Sequence, residues 1–440
     1  MKPKQITNNQ ENLFRNRLSN QLNPKNELFQ LAKIIPWDEL DRECADLFLN
    51  NTCGRPPTPV RLVIGLLLLQ YMHNLSDDNV VRTWTENPYW QYFCGYDYLQ
   101  WNLPIDSSSL TRWRKRLGTE KLQKILAMTV SVSLKIGVIK KKDLEDVIVD
   151  TTIMPKNIEY PTDVKLLEKA RRKIVKLSEE VNLSLRQNYN LVSKKILRKI
   201  GGYLHARQMK RANREIKQFK TLVGRVMRDC NRKIETRAEL REKFTEILSQ
   251  TKHLLERKNS DSKKLYSLHE PEVVCISKGK ARKKYEFGCK VSLAITHRKG
   301  TGIILSSEAL AGNPFDGHSL KPALENVAMI TGVKVKNAFV DKGYKGHGVE
   351  DCNVFVSGQR LGITSGLKKA IKRRQAIEPY IGHLKDEVKL GLSRLKSFVG
   401  DCINALLSAA SYNLKQVLRY LRNFLCQIFA ILFAQMILAK

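Results

Sequence analysis

The chain has 440 residues, with 77 lysines and arginines against 43 aspartates and glutamates, which gives a formal net charge of +34. Apolar residues make up 42% of the sequence, so a disordered chain is excluded. A basic excess of this size favours a polyanionic partner, either a nucleic acid or an anionic membrane surface. At ~100–200 residues per domain, the length predicts two to four domains.

Cysteine usage and the two ends of the chain bear on its compartment. Nine cysteines occur without a C-x-x-C pair, which argues against a disulfide framework or a zinc module and fits a reducing cytosol. The Asn-, Gln- and Lys-rich N-terminus has no apolar segment typical of a signal peptide. Residues 424–439 are apolar but interrupted by two glutamines, and they are short for a spanning helix of ~20 residues. We therefore expect no membrane association, and a buried or dimerising helix at this end.

Residues 51–140 have the pattern of a compact helical domain. A strongly apolar helix is expected from about Val60, and Ser76 and Asp106 are typical N-cap residues of two more helices. The third helix starts with a basic run closed by Gly118, made of Arg112, Arg114, Lys115 and Arg116. Short helices before a capped basic helix are typical of helix-turn-helix DNA-binding modules. A helical bundle with a solvated basic face is the alternative.

Residues 164–267 predict a basic block of long helices, because glycine and proline are almost absent from this stretch. Between residues 161 and 260 there are 27 lysines and arginines against 11 aspartates and glutamates. Apolar residues recur near helical spacing, which predicts one packed face. A solvated face normally mixes charge signs, so this imbalance favours contact with nucleic acid over a plain helical spacer.

Strand-like runs flank the basic block on both sides. DVIVD at residues 146–150 has the pattern of a buried strand that ends in an acid. Further strand-like runs after residue 270 are VVCIS, KYEFGCKVSLAITHRKG, GIILSSEAL, VKVKNAFVD and VFVS. Helices are expected from about Leu320 to Ile330 and from Lys368 to about Leu395. This order of elements predicts a mixed α/β sheet.

Three acids are candidates for chemistry at this sheet. Asp150 follows the apolar run VIV, Asp341 follows AFV, and Glu378 lies on a predicted helix among basic residues. Burying a carboxylate beside a sheet core is costly unless a cation or hydrogen bonds compensate. Carboxylates are the ligands that Mg²⁺ prefers, and two such ions can activate a water or a 3′-hydroxyl at a phosphodiester. Ordinary strand-end and surface acids are the alternative.

The segments around these acids resemble the DDE transposases of bacterial insertion sequences, in the group with the Y-x2-R-x3-E-x6-K signature. VIVDTTI is similar to the first-Asp strand of that family, and AFVDKGYKG to its second-Asp motif. RRQAIEPYIGHLK carries Arg374, Glu378 and Lys385 at the signature spacing, while Ile371 occupies the tyrosine position. GNPFDGHSL is similar to a segment before the family's central helix. The resemblance covers most of residues 55–400.

The resemblance implies a ribonuclease-H-like fold and transposition of the protein's own element. It makes Asp150, Asp341 and Glu378 the catalytic residues and the ligands of two Mg²⁺ ions, for which Mn²⁺ can substitute. Water would free 3′-hydroxyls at the terminal inverted repeats, and these would attack target DNA. The implied partners are double-stranded DNA and a second copy of the chain, since two DNA ends must meet. The implied location is the bacterial cytoplasm, at the nucleoid.

Basic and polar residues near the acids are further candidates. Expected DNA contacts there are Arg374, Lys385, Lys342, Tyr344 and His347, in addition to the basic run Arg112, Arg114, Lys115 and Arg116 of the N-terminal domain. Such contacts position phosphates without reading the base sequence. Asn313, Asp316 and His318 are interpreted as turn and helix-cap residues, in slight preference to a DNA-binding role or a role behind the metal ligands.

The predicted architecture is a ribonuclease-H-like α/β protein with a helical N-terminal DNA-binding domain and a basic all-helical insertion. Its parts are an arm and helix (1–50), the DNA-binding domain (51–140), the catalytic domain (141–163 and 268–398), the insertion (164–267) and an apolar C-terminal helix (399–440). Three alternatives stay open. They are an end-binding relic that no longer cuts, a ribonuclease-H-like nuclease of repair or restriction, and a membrane-associated basic protein.

Overall fold

A computed structural model of the chain describes residues 15–48, 57–235, 237–258, 260–261, 264–277, 284–359 and 364–438, with side chains to residue 423. Most of the predicted N-terminal arm and the side chains of the apolar run 424–439 lie outside the described residues. The chain divides into two compact units, residues 1–155 with 289–440, and residues 156–288. The second unit extends beyond the predicted insertion of 164–267 at both ends.

The elements follow one another in a mostly helical order. The helices are α1 (Leu18–Gln21), α2 (Glu27–Ile34), α3 (Trp37–Glu43), α4 (Val60–Met72), α5 (Asp77–Glu86), α6 (Pro88–Phe93), α7 (Ser107–Ile136), α8 (Asp163–Glu180), α9 (Asn190–His205), α10 (Met209–Ile234), α11 (Ala238–Glu256), α12 (Asp316–Thr331), α13 (Ser365–Arg373), α14 (Ile377–Glu387) and α15 (Ser397–Leu438). The strands are β1 (Asp146–Pro155), β2 (Val274–Ser277), β3 (Tyr285–Thr296), β4 (Ile304–Leu310), β5 (Asn337–Val340) and β6 (Asn353–Val356). Short 3₁₀ helices cover Ala45–Leu47, Lys141–Leu144, Lys342–Tyr344 and Arg374–Ala376.

The N-terminal helices begin where the capping residues predict. The Ser76 side chain accepts a hydrogen bond from the backbone of Asn79, and the Asp106 side chain accepts one from Ser108. α4 begins at Val60 as expected and is buried on nearly every side. At Gly118 the backbone has φ +64°, which L residues avoid, so α7 bends there and then continues to Ile136.

In the first unit the strands lie in the order β4, β3, β1, β5, β6. β3 is antiparallel to β4, whereas β1, β5 and β6 are parallel. The backbone N–H of His297, just after β3, donates to Asp146 at the start of β1, so these two strands are antiparallel. The predicted mixed sheet is therefore confirmed. β1 runs on to Pro155, so the prediction that this strand ends at Asp150 is wrong.

Helix ends near the sheet also differ from the predictions. α12 begins at Asp316, ahead of the expected Leu320, and the single helix expected up to about Leu395 is divided into α13 and α14, the latter ending at Glu387. The 3₁₀ helix between α13 and α14 tightens the chain at Arg374. This local winding fixes the direction in which the Arg374 side chain leaves the backbone.

α15 lies in the core of the first unit rather than at its margin. Between Ile403 and Leu414 its side chains are almost wholly buried, and the helix packs on α4, α7 and β4. The Asn413 amide bonds both the N–H and the C=O of Ile304, each at 2.8 Å, which attaches the helix to β4. The predicted C-terminal helix is thus a core helix over this length. Among the described residues, no helix combines the length and apolar character that crossing a membrane requires.

The second unit has its own hydrophobic core, built by α8, α9, α10 and α11. β2 pairs antiparallel with the first four residues of β3. The backbone N–H of Lys156 donates to the carbonyl of Phe287 over 3.0 Å, so the two ends of the unit meet. The Lys156 ammonium and the Glu270 carboxylate form a buried ion pair at 3.2 Å.

Candidate active site on two neighbouring strands

Two of the predicted acids lie level with each other on adjacent strands of the first unit. The parallel register pairs Val147 with Ala338 and Ile148 with Phe339. Continuing this register by two residues sets Asp150 opposite Asp341, and paired residues of neighbouring strands point to the same face of a sheet. Asp341 directly follows β5, whereas Asp150 lies inside β1. The two acids are therefore neighbours although 190 residues separate them in sequence.

The guanidinium of Arg374 reaches both carboxylates. Its Nη1 lies 3.3 Å from Oδ2 of Asp150, and its Nη2 lies 3.6 Å from Oδ1 of Asp341. The Arg374 side chain is only 9% exposed, while those of Asp150 and Asp341 are 21% and 50% exposed. One buried cation thus serves two carboxylates that face water, and the three side chains together keep a formal charge of −1.

Glu378 and Lys385 lie on α14, which follows the 3₁₀ helix that begins at Arg374. At about 100° per residue, positions seven residues apart lie within about 20° of each other around the axis, so Glu378 and Lys385 share one face of α14. α14 packs on β1, Glu378 is exposed, and Lys385 is half-buried. In the part of the chain that the structure describes, no three His, Cys, Asp or Glu side chains are grouped closely enough to hold a metal ion. Glu378 is therefore not gathered with the two aspartates into such a group.

The loop after Asp341 carries three of the expected DNA contacts. Lys342 is exposed, and its side chain passes over the backbone of Gly358. His347 is half-buried, and its Nδ1 accepts a hydrogen bond from the backbone of Val349 at 3.0 Å. Tyr344 is buried instead, so its ring supports the site from beneath.

The environment of Tyr344 shows how closely the acids converge. Burial, followed by the negative charges of Asp150 and Asp316, raises the pKa of the Tyr344 hydroxyl well above its usual value, and Asp341 adds to the effect. The hydroxyl therefore stays protonated at all physiological pH values. Three carboxylates act on this one phenol, which places Asp316 beside the pair of aspartates.

A second ion pair adjoins the aspartates, and the sequence pattern does not predict it. On β3, Nζ of Lys290 lies 2.7 Å from Oδ1 of Asp316 and donates to the carbonyl of Pro314 over 2.8 Å. Thr151, the residue after Asp150, donates its hydroxyl to the same Asp316 oxygen over 2.9 Å. A lysine inside an otherwise apolar strand-like run was the sequence feature that could have indicated this site.

Asp316 is the first residue of α12, but its carboxylate makes no cap hydrogen bond to that helix. It bonds Lys290 and Thr151 instead. The interpretation of Asp316 as a helix-cap residue is therefore wrong for its side chain. The physical reason is competition, because a nearby buried ammonium attracts the carboxylate more strongly than backbone N–H groups that can bond to water.

Comparisons with known proteins add a family. Residues 16–116 match the family described as Transposase domain (DUF772). "Uncharacterized protein ORF8 in nfe locus" of Rhizobium meliloti is 40% identical over 208 residues, which make up 47% of this chain and the whole of that relative. No solved structure matches the chain. The chain is a transposase-family protein.

The match to the transposase domain extends from α1 into the basic first part of α7, and it ends before Asp150. Within that part, Arg112, Lys115 and Arg116 are exposed, whereas Arg114 is buried. Arg114 bonds the Asp77 carboxylate and, over 2.8 Å, the side-chain oxygen of Gln70. In this transposase-family protein, Arg114 therefore holds α7 to α4 and α5, and its guanidinium does not face solvent as a DNA contact would.

In the second unit of the transposase-family protein, α9 is one of the helices with exposed positive charge. Four exposed basic side chains follow one another there: Lys194, Lys195, Arg198 and Lys199. The helix contains no acidic residue. Acids elsewhere in the unit pair with local bases, as Glu168 does with Arg171 and Asp229 with Lys233. The basic excess of the sequence thus reaches the surface of α9 instead of being balanced there.

Proposed function

We propose that this protein is the DNA transposase of an insertion sequence, which cuts the ends of its own element and joins them to target DNA. Membership of a transposase family supports this proposal. The observation that carries it further is the level pair Asp150 and Asp341 on neighbouring parallel strands. Two partly exposed carboxylates at one sheet position are the arrangement that metal-dependent phosphodiester chemistry needs.

The strand order supports a ribonuclease-H-like catalytic fold. A central strand with an antiparallel hairpin on one side and two parallel strands on the other is the sheet expected of that fold. Here β1 is the central strand, β3 and β4 form the hairpin, and β5 and β6 are the parallel pair. The same order explains why two acids far apart in sequence come to lie side by side.

The donor set fits Mg²⁺, or Mn²⁺ in its place. Asp150 and Asp341 offer hard oxygen ligands, face water, and already share one cation, the Arg374 guanidinium. Glu378, on α14, which packs on β1, is proposed as the third ligand. When bound, the two ions would supply the positive charge that lowers the pKa of an attacking water and stabilises the leaving oxygen.

The remaining residues of the site would bind and orient DNA. Lys342, which directly follows Asp341, and Lys385 on α14 are suited to neutralise phosphates, and Arg374 can exchange a carboxylate for a phosphate oxygen. Arg112, Lys115 and Arg116 on α7 are further exposed basic residues that double-stranded DNA would contact, and so, in the second unit, are those of α9. A homodimer would bring the two inverted repeats together, in the bacterial cytoplasm at the nucleoid.

Strand cutting tests this function. The substrate is a labelled duplex that carries the inverted repeat flanking the gene, incubated with Mg²⁺ or with Ca²⁺. We expect nicking at the repeat boundary with Mg²⁺ only, and none with Asp150→Asn. Asp351→Asn is the matched control, because Asp351 is an exposed carboxylate whose ion partner Lys334 is 3.9 Å away.

The outcomes separate the proposal from its competitors. Specific binding of the repeat without cutting in either metal would make the protein an end-binding relic. Cutting that ignores the repeat sequence would indicate a nuclease of repair or restriction. Cutting that persists in Asp150→Asn would remove the two-aspartate site from the mechanism.

A further inference from the structure

Asp316 lies between the chain segments that carry the two aspartates. On one side its Oδ1 accepts the hydroxyl of Thr151, which directly follows Asp150. On the other side its Oδ2 is so close to Gly343, two residues after Asp341, that a methyl group added there would lie 3.1 Å from it. One carboxylate therefore contacts both segments.

A third carboxylate in this place needs compensation. Like charges within a few ångströms repel one another, and burial increases the effect. Lys290 supplies the opposite charge at 2.7 Å, and its own side chain is only 10% exposed. Its further hydrogen bond to the carbonyl of Pro314 fixes the ammonium in position. The Lys290–Asp316 pair is thus a fixed strut next to the aspartates, with no net charge of its own.

The bonding pattern distinguishes a supporting residue from a metal ligand. Oδ1 of Asp316 already accepts from two donors, the Lys290 ammonium and the Thr151 hydroxyl. The other oxygen packs against the backbone at Gly343. Asp150 and Asp341, in contrast, are paired with the Arg374 guanidinium at the longer distances of 3.3 and 3.6 Å, and the Asp341 side chain is half exposed.

We propose that Asp316 is a positioning residue, which together with Lys290 holds the Thr151 and Gly343 segments so that Asp150 and Asp341 keep the separation a divalent cation requires. The inference rests on the proposed function, since it assumes that the two aspartates bind metal. Residues that orient metal ligands typically change metal affinity or activity by ~10–100-fold when they are replaced.

The test uses Mn²⁺ alone as the probe and measures its binding to the full chain by electron paramagnetic resonance. The main variant is Lys290→Met with Asp316→Leu, which removes the strut and leaves no unpaired charge. We expect Mn²⁺ to bind ~10–100-fold more weakly than to the wild type. The Mg²⁺ concentration for half-maximal cutting should rise by a similar factor, with DNA affinity unchanged.

Two further variants make the result specific. Lys334→Met with Asp351→Leu removes an exposed ion pair of the same unit and should leave Mn²⁺ binding unchanged. Thr151→Val removes the hydroxyl link to Asp316 and should weaken Mn²⁺ binding several-fold. It serves as the test if the strut variant does not fold.

The readouts separate the two proposals. If the wild type binds Mn²⁺ no better than Asp150→Asn does, the metal site of the proposed function is wrong, and the inference about Asp316 fails with it. If Mn²⁺ binding depends on Asp150 but is the same in the strut variant and in Thr151→Val as in the wild type, the proposed function stands and Asp316 has no positioning role.

Discussion

Two buried arginines in the first unit hold carboxylates in different ways. Arg114 bonds one carboxylate, that of Asp77, and also the neutral side chain of Gln70. Arg374 is shared between two carboxylates at 3.3 and 3.6 Å, and one of these, Asp341, is half exposed. The Arg114–Asp77 pair is therefore balanced in charge, whereas the Arg374 cluster has two carboxylates for one guanidinium.

The two clusters differ as an ion pair that holds helices together differs from one that can accept a further cation. Burial opposes ionisation of Asp77, yet the hydrogen bonds and charge of Arg114 lower the pKa of its carboxyl below the usual value. The Arg114 cluster joins α4, α5 and α7. In the Arg374 cluster the Asp341 carboxylate is half exposed, which is what a site for a further cation requires.

The largest expected effect is a loss of stability when the Arg114–Asp77 ion pair is broken. Arg114→Gln leaves Asp77 without its cation in a partly buried place, and such losses cost about 3–5 kcal/mol of unfolding free energy. Arg374→Gln should cost less, because its ion pairs are longer, at 3.3 and 3.6 Å, and Asp341 is half exposed. Urea unfolding of both variants measures the two values. Equal losses would contradict the distinction between the clusters.

The second largest effect is on the rate of DNA cutting, which should depend on the Arg374 cluster and not on the Arg114–Asp77 pair. Asp341→Asn should lower the Mg²⁺-dependent cutting rate by more than the ~100-fold that marks residues behind the metal ligands. Asp77→Asn should leave the rate per folded molecule unchanged. Single-turnover cutting of the labelled repeat measures both rates. A comparable loss of cutting rate in Asp77→Asn would show that the Arg114–Asp77 ion pair is also needed for DNA cutting.

A smaller effect concerns exposed charge on α9. Replacing Lys194, Lys195, Arg198 and Lys199 by glutamine should reduce the slope of log affinity against log salt by up to about 3.6, since each lost phosphate contact contributes about 0.9. Arg241→Gln with Lys243→Gln on α11 is the control, because acids alternate with bases on that helix. An unchanged slope in the α9 variant would exclude this face from DNA binding.

The smallest effect comes from a third cluster, in which one carboxylate has several cations. Partial burial opposes ionisation of Glu387, but Lys415, His383 and Arg419 lower its pKa to about 2. Because the folded-state pKa lies below the ordinary 4.5, this contribution to stability is complete above pH 4.5 and is lost as the pH falls towards 2. Thermal melts between pH 5 and 2.5 should therefore fall less steeply for Glu387→Gln. Identical slopes would show that the cluster adds no acid-sensitive stability.

Local patterns in the sequence predicted local structure well. Caps at Ser76 and Asp106 gave the helix starts, and the apolar runs gave the strands, because these features depend on neighbours in the chain. The level pair of Asp150 and Asp341 could be expected only as a hypothesis, since the register between β1 and β5 is set by tertiary packing.

Long-range pairing was the part that local patterns could not predict. Arg114 looks like its exposed neighbours in a basic run, and only the packing of α7 on α4 and α5 shows that it faces Asp77. Asp316 looks like a helix cap, and only the position of β3 shows that Lys290 binds it. In both cases the deciding partner is far away in sequence, so composition and spacing carry no information about it.

The backbone hydrogen bond between the two ends of the second unit bears on how such chains evolve. Because the Lys156 N–H bonds the Phe287 carbonyl directly, a two-residue hairpin turn could replace everything between them. The segment also has its own hydrophobic core. Gain or loss of this segment in one step would therefore leave unchanged the pairing of β1 with β5 that aligns the two aspartates.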